Sequence, residues 1–134
     1  MTSLAVIDTH ALLWAVTGQK KRLGRHALKL LERVDAGHAA LYIPVMVLAE
    51  LGEAEQRGAI RLDGGFDDWV GRLLETGRYH PVALTVPIVC RAQRLYTIPE
   101  RGDRLIAATA AELDLPLVTR DPAIAAAADV EVVW

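Results

Sequence analysis

Leu4-Ala5-Val6-Ile7 is an unbroken apolar run closed at once by an acid, Asp8. With no polar alternation and only four residues, it reads as a strand buried on both faces, the kind found in a parallel sheet covered by helices. Further short apolar runs follow at Leu41–Ile43, Pro81–Leu84, Leu115–Thr119 and Val130–Val133. Between them the spacing predicts helices over Thr9–Val16, Leu23–Asp35, Val45–Arg57, Phe66–Thr76, Thr85–Tyr96, Asp103–Leu113 and Pro122–Ala128. This alternation argues for an α/β fold with a central, mostly parallel sheet of about five strands and helices on both faces. Ligands in such folds bind beyond the carboxyl ends of the strands. Asp8 and Asp121 follow the first and fourth predicted strands, so these two acids are expected to be neighbours.

A chain of 134 residues suits one compact domain, 52% hydrophobic and 24% charged. No apolar run approaches the roughly 18–20 residues of a membrane span, and the first residues lack the charged and apolar regions of a signal peptide. The single cysteine, Cys90, permits no internal disulfide, fits the cytoplasm, and is expected in the core beside Val89 and Ala92. A net charge of −2 argues against a broadly basic nucleic-acid coat. Local basic surface remains, in Lys20-Lys21-Arg22 with Arg25 and in Arg101, Arg104 and Arg120, and phosphate contacts need no more than that.

Four acids stand out: Asp8, Glu50 in Val47-Leu48-Ala49-Glu50-Leu51, Asp103 before Arg104-Leu105-Ile106-Ala107-Ala108-Thr109, and Asp121 after Leu117-Val118-Thr119-Arg120. Asp8, Asp103 and Asp121 all precede predicted helices, and each has a plain reading as an N-cap. Asp67 and Asp68 are read as caps of their helix. Glu50 lies inside a helix, where no cap is possible, and its plain reading is a solvent-facing glutamate sharing a face with Glu53. If the fold gathers the four, their repulsion demands a cation. Two unit charges ~4 Å apart cost about 4 kcal/mol at an effective dielectric near 20, and a hard divalent metal with oxygen ligands is the natural partner.

Together the strings Val6-Ile7-Asp8-Thr9-His10-Ala11-Leu12-Leu13-Trp14, Leu48-Ala49-Glu50, Asp103-Arg104-Leu105-Ile106-Ala107-Ala108-Thr109-Ala110 and Leu117-Val118-Thr119-Arg120-Asp121 resemble the PIN-domain family. More narrowly they resemble the VapC group, toxin ribonucleases of type II toxin–antitoxin pairs. The resemblance reaches the closing Val132-Val133-Trp134. It departs where many relatives carry Asp-Pro-x-Asp, since this chain has Glu100-Arg101-Gly102-Asp103, and where Val45-Met46-Val47 lacks a common serine.

The resemblance implies a three-layer α/β/α sandwich over residues 1–134 and a Mg²⁺- or Mn²⁺-dependent endoribonuclease. Asp8, Glu50, Asp103 and Asp121 match the acidic positions that bind metal and carry catalysis. Thr119 matches a hydroxyl residue beside the last acid, and Thr9 is a supporting residue of the turn after Asp8. Arg104 and Arg120 are expected either to meet substrate phosphates or to pair with their neighbouring acids. His10 and the tryptophans Trp14, Trp69 and Trp134 are read as structural. An RNA substrate, a homodimer and a small cognate antitoxin complete the implied set, with Val45–Leu51 and Trp69 as a contact region.

Other classes fit less well. A receiver-like switch needs paired acids after the first strand and a late lysine, whereas Asp8 stands alone and the last lysine is Lys29. A haloacid-dehalogenase-like phosphatase needs an aspartate where His10 stands. No Gly-x-Gly-x-x-Gly follows the first strand, which removes a dinucleotide-binding domain. The runners-up are a PIN-fold binding module that has lost catalysis and a PIN nuclease working outside a toxin–antitoxin pair.

Overall fold

The structure is a computed structural model that describes residues 2–127 and 129–134. Among these residues five parallel strands form one sheet: β1 (Leu4–Ile7), β2 (Ala40–Pro44), β3 (Tyr79–Val82), β4 (Leu117–Val118) and β5 (Val132–Val133), in the order β3-β2-β1-β4-β5. Successive strand residues point to opposite faces, yet Ala5, Val6 and Ile7 are all fully buried. Both faces of the central strand are therefore covered, which is why its sequence shows no alternation.

Among the described residues seven helices connect and cover the sheet: α1 (Thr9–Val16), α2 (Arg25–Asp35), α3 (Val45–Gln56), α4 (Phe66–Glu75), α5 (Val86–Gln93), α6 (Arg101–Leu113) and α7 (Pro122–Ala125). In α2 the core takes Ala27, Leu30, Leu31 and Val34, one stripe at helical spacing. Helix α6 is more deeply set. Leu105 through Ala110 are all buried, and its alanines allow close packing with α3 and α5. Thr109 satisfies its buried hydroxyl by donating to the Leu105 carbonyl at 2.8 Å.

The departures from the sequence reading have local causes. Strand β3 begins at Tyr79, two residues before the expected Pro81–Leu84, because Tyr79 is buried and Pro81 is tolerated within an edge strand. A 3-10 turn, Lys20–Arg22, precedes α2, which starts at Arg25 rather than Leu23. The last helix ends at Ala125, and Ala128 at the end of its expected range lies outside the described residues. Asp67 and Asp68 do not cap α4: Gly65 holds the N-cap position, and the two acids sit in the first turn, where they complement the helix dipole. Cys90 is exposed rather than buried, because Ile88 and Ala92 face the core and put Cys90 on the opposite side of α5. Val47, Leu51 and Trp69 are buried, which takes all three out of the expected contact region. Among the described residues no helix is long and apolar enough to cross a membrane.

Candidate functional site

The chain runs β1 to β2 to β3 on one side of β1, then returns to place β4 on its other side. A strand order that reverses in this way leaves a crevice beyond the carboxyl ends of the two strands at the switch. Here those are β1 and β4. The ladder extends one residue past β1, with the Asp8 amide donating to the Val118 carbonyl at 3.1 Å, which seats Asp8 beside Thr119.

Asp8 caps α1, its Oδ1 accepting from the Ala11 amide at 2.9 Å. Asp121 caps α7 in the same manner, its Oδ1 accepting from the Ala123 amide at 2.9 Å. Pro122 at the first helical position needs no acceptor for an N–H it lacks. Thr119 is fully buried between them: its hydroxyl accepts the Asp121 amide at 3.1 Å and hydrogen-bonds the Asp8 carboxylate.

Glu50 does not point to open solvent. Its Oε1 accepts from the Thr9 hydroxyl at 2.7 Å, joining α3 to the first residue of α1. Asp103 is not a cap. Helix α6 begins at Arg101, so Asp103 lies in its first turn, while Glu100 at the N-cap position makes no side-chain capping bond. Gly102 fits this packing, because a Cβ there would sit 3.0 Å from Oε2 of Glu50. The glycine in Glu100-Arg101-Gly102-Asp103 thus keeps space for the glutamate.

Asp8, Thr9, Glu50, Glu100, Asp103, Arg120 and Asp121 all line one cavity of about 350 Å³, with His10, Trp14 and Trp134 at its side. The electrostatics register the crowding. Asp103 is pushed up to about 7, first by burial, then by repulsion from Asp121, Glu100 and Glu50. When protonated it shares that proton with Asp121. Burial also raises Asp8 above the ordinary carboxylate range, against the opposing pull of its hydrogen bonds to Thr119 and the Ala11 amide.

These donors suit a hard divalent cation: all are carboxylate oxygens, and Asp8 and Asp121 each spend only Oδ1 on a backbone amide. Among the described residues no three acids already stand close enough to enclose an ion. Side-chain adjustment within the cavity is therefore part of any metal binding here.

The two arginines part company. Arg104 donates to the carbonyls of Ile98 and Pro99 at 2.8 and 2.7 Å, holding the approach to α6, and it does not line the cavity. Among the described residues neither arginine forms the ion pair with its neighbouring acid that the sequence offers as the alternative to a phosphate contact. Arg120 lines the cavity with its guanidinium 4.8 Å from the centre of the Trp14 ring. Glu100, His10 and Trp14 line the cavity without being expected there from the sequence. A signal existed for the last two: they are four apart on the helix that Asp8 begins, so they share one face of it.

A family model described as the PIN domain matches residues 5–130. Among curated proteins no sequence matches. Among solved structures, the chain is similar to a VapBC2 complex from Rickettsia felis bound to a fragment of its promoter DNA, at a TM-score of 0.71 and 18% identity over 96% of each chain. A toxin–antitoxin complex from Klebsiella pneumoniae gives a TM-score of 0.65 and 20% identity over 97% of this chain and 96% of that one. DNA-bound VapBC from Salmonella typhimurium gives 0.67 and 15% over 98% and 97%. At such identities the likeness is one of fold. The sequence match spans the segments that carry all four acids, and on that match the chain belongs to the PIN domain family.

Proposed function

We propose that the chain is a Mg²⁺- or Mn²⁺-dependent endoribonuclease and the toxin of a toxin–antitoxin pair, acting in the cytoplasm as a homodimer held in check by a cognate antitoxin. One observation carries the nuclease reading: Asp8, Glu50, Asp103 and Asp121 line a single cavity in which Asp103 is held protonated up to about 7. That is the electrostatics of a site built for a cation. Asp8, Asp103 and Asp121, with Glu50, would hold it. The chemistry a divalent ion supplies when bound is activation of water and neutralisation of charge at the scissile phosphate.

The remaining work falls to side chains. Thr119 fixes the Asp8 carboxylate, and Thr9 fixes Glu50. Glu50 either joins the ligand set or orients the attacking water. Water adds in line to phosphorus, the bond to the leaving sugar oxygen breaks, and the displaced proton ends on that oxygen. The products are one phosphate end and one hydroxyl end. The toxin reading draws its support from the fold shared with the Rickettsia, Klebsiella and Salmonella complexes.

The test is incubation of purified protein with structured and single-stranded RNAs in Mg²⁺, in Mn²⁺ and in chelator, beside Asp8→Asn and Asp103→Asn. Cleavage should require the metal and both acids. Cleavage that persists in chelator or in the variants sinks the assignment. Expression without an antitoxin should slow growth, and Asp8→Asn should relieve it; an inert, well-expressed wild type would remove the toxin role and leave the nuclease standing.

A further inference from the structure

Two guanidinium groups share one indole beside the carboxylate cavity. Arg120 lies 4.8 Å and Arg22 5.6 Å from the centre of the Trp14 ring, which keeps the two charges within roughly a Debye length of each other. Trp14 is only 5% exposed and packs edge-on against Trp134 at 6.2 Å, so no base can stack on it. The ring is a fixed seat for cations.

What these arginines do not do is as informative. Arg120 adjoins Asp121 and lines a cavity with five carboxylates, where a guanidinium ordinarily takes a carboxylate partner. Among the described residues neither Arg120 nor Arg22 enters an ion pair, whereas nearby Lys20 is held by Asp35 at 3.1 Å. Both arginines are exposed. A guanidinium held over an indole keeps N–H donors that can meet phosphate oxygens.

We propose that Arg22 and Arg120, seated on Trp14, form a backbone subsite that grips phosphates of the RNA strand flanking the one delivered to the carboxylate cavity. The inference rests on the nuclease reading and adds to it how a polyanion is retained at a cavity lined with acids. The cavity repels every phosphate that a metal does not neutralise, so retention has to come from cations just outside it. An acidic segment of a partner protein would meet the same two charges, but recurring phosphates follow from the substrate that the cavity itself implies.

The test measures binding of a labelled single-stranded RNA by fluorescence anisotropy in Mg²⁺ over a range of KCl concentrations, with Asp103→Asn throughout to prevent cleavage. Arg22→Gln and Arg120→Gln should each weaken binding and reduce the slope of log K against log salt by about 0.7. Lysine at either position should restore the slope, and Arg57→Gln, away from the cavity, should leave it unchanged. Thermal melts of these exposed-site variants should match that of the parent. Unchanged affinity and slope in both glutamine variants overturn the subsite and leave the nuclease reading intact. Failure of the parent to bind RNA overturns both. Loss of antitoxin binding with RNA binding intact reassigns the arginines to a protein partner and overturns the subsite.

Discussion

At the scale of single residues, capping a helix and facing a cation are compatible duties for an aspartate. The sequence poses them as alternatives for Asp8 and Asp121, yet each side chain has two oxygens and spends only Oδ1 on a backbone amide. The duties separate by substitution. Asparagine keeps an acceptor for the Ala123 amide but loses the charge; alanine loses both. Asp121→Asn is therefore expected to melt close to the wild type while RNA cleavage collapses. Asp121→Ala should lose cleavage and about 0.5–2 kcal/mol of stability as well. Full cleavage by Asp121→Asn would remove Asp121 from the metal set. Asp8 and Asp121 were legible in the sequence because their partnership follows from strand ends, a backbone property. Glu50 was not, since its contact with Thr9 spans 41 positions and depends on how α3 packs against α1. Only the family resemblance put it with the others.

Among the elements, those decided by one local pattern lie where the sequence puts them, and those decided by packing do not. Strand β1 and helix α1 lie where an apolar run, an acidic cap and a helical stripe put them. Strand β3 slid by two residues because burial of Tyr79 outweighed the apolar run after Pro81. The start of α2 is set by a close approach that no local pattern announces. A Cβ on Gly24 would stand 2.5 Å from the backbone carbon of Trp134 and 2.5 Å from its ring. The His26 amide and ring Nδ1 meet the Trp134 carbonyl at 3.2 and 2.9 Å, tying β5 and the residue after it to α2. Gly24→Ala should push that segment off α2 and cost about 1–3 kcal/mol by chemical denaturation, the range for overpacking. Stability equal to the wild type would show the Trp134 segment pliable enough to yield.

Over the whole molecule, a cavity of repelling acids is a stability cost that depends on pH, and its sign is fixed by the direction of the shifts. In the folded chain Asp103 keeps its proton up to about 7, and Asp8 is also raised. Unfolded, both ionise near the ordinary value of about 4. Between these limits the folded state binds more protons than the unfolded state, so stability falls as pH rises through the window and levels off above it. Other carboxylates contribute with either sign, and a difference measurement removes them. In chelator, Asp103→Asn, which mimics the protonated acid, should match the wild type in Tm near the acid end of the window. It should exceed the wild type by a growing margin as pH approaches about 7, with the margin constant beyond. Mg²⁺ should raise the wild-type Tm most at the alkaline end, where the acids are charged and a cation relieves them, and should raise that of Asp103→Asn far less. A margin that stays flat across the window would show that the four acids do not repel one another in the folded chain. It would also remove the electrostatic reason for placing a cation among them.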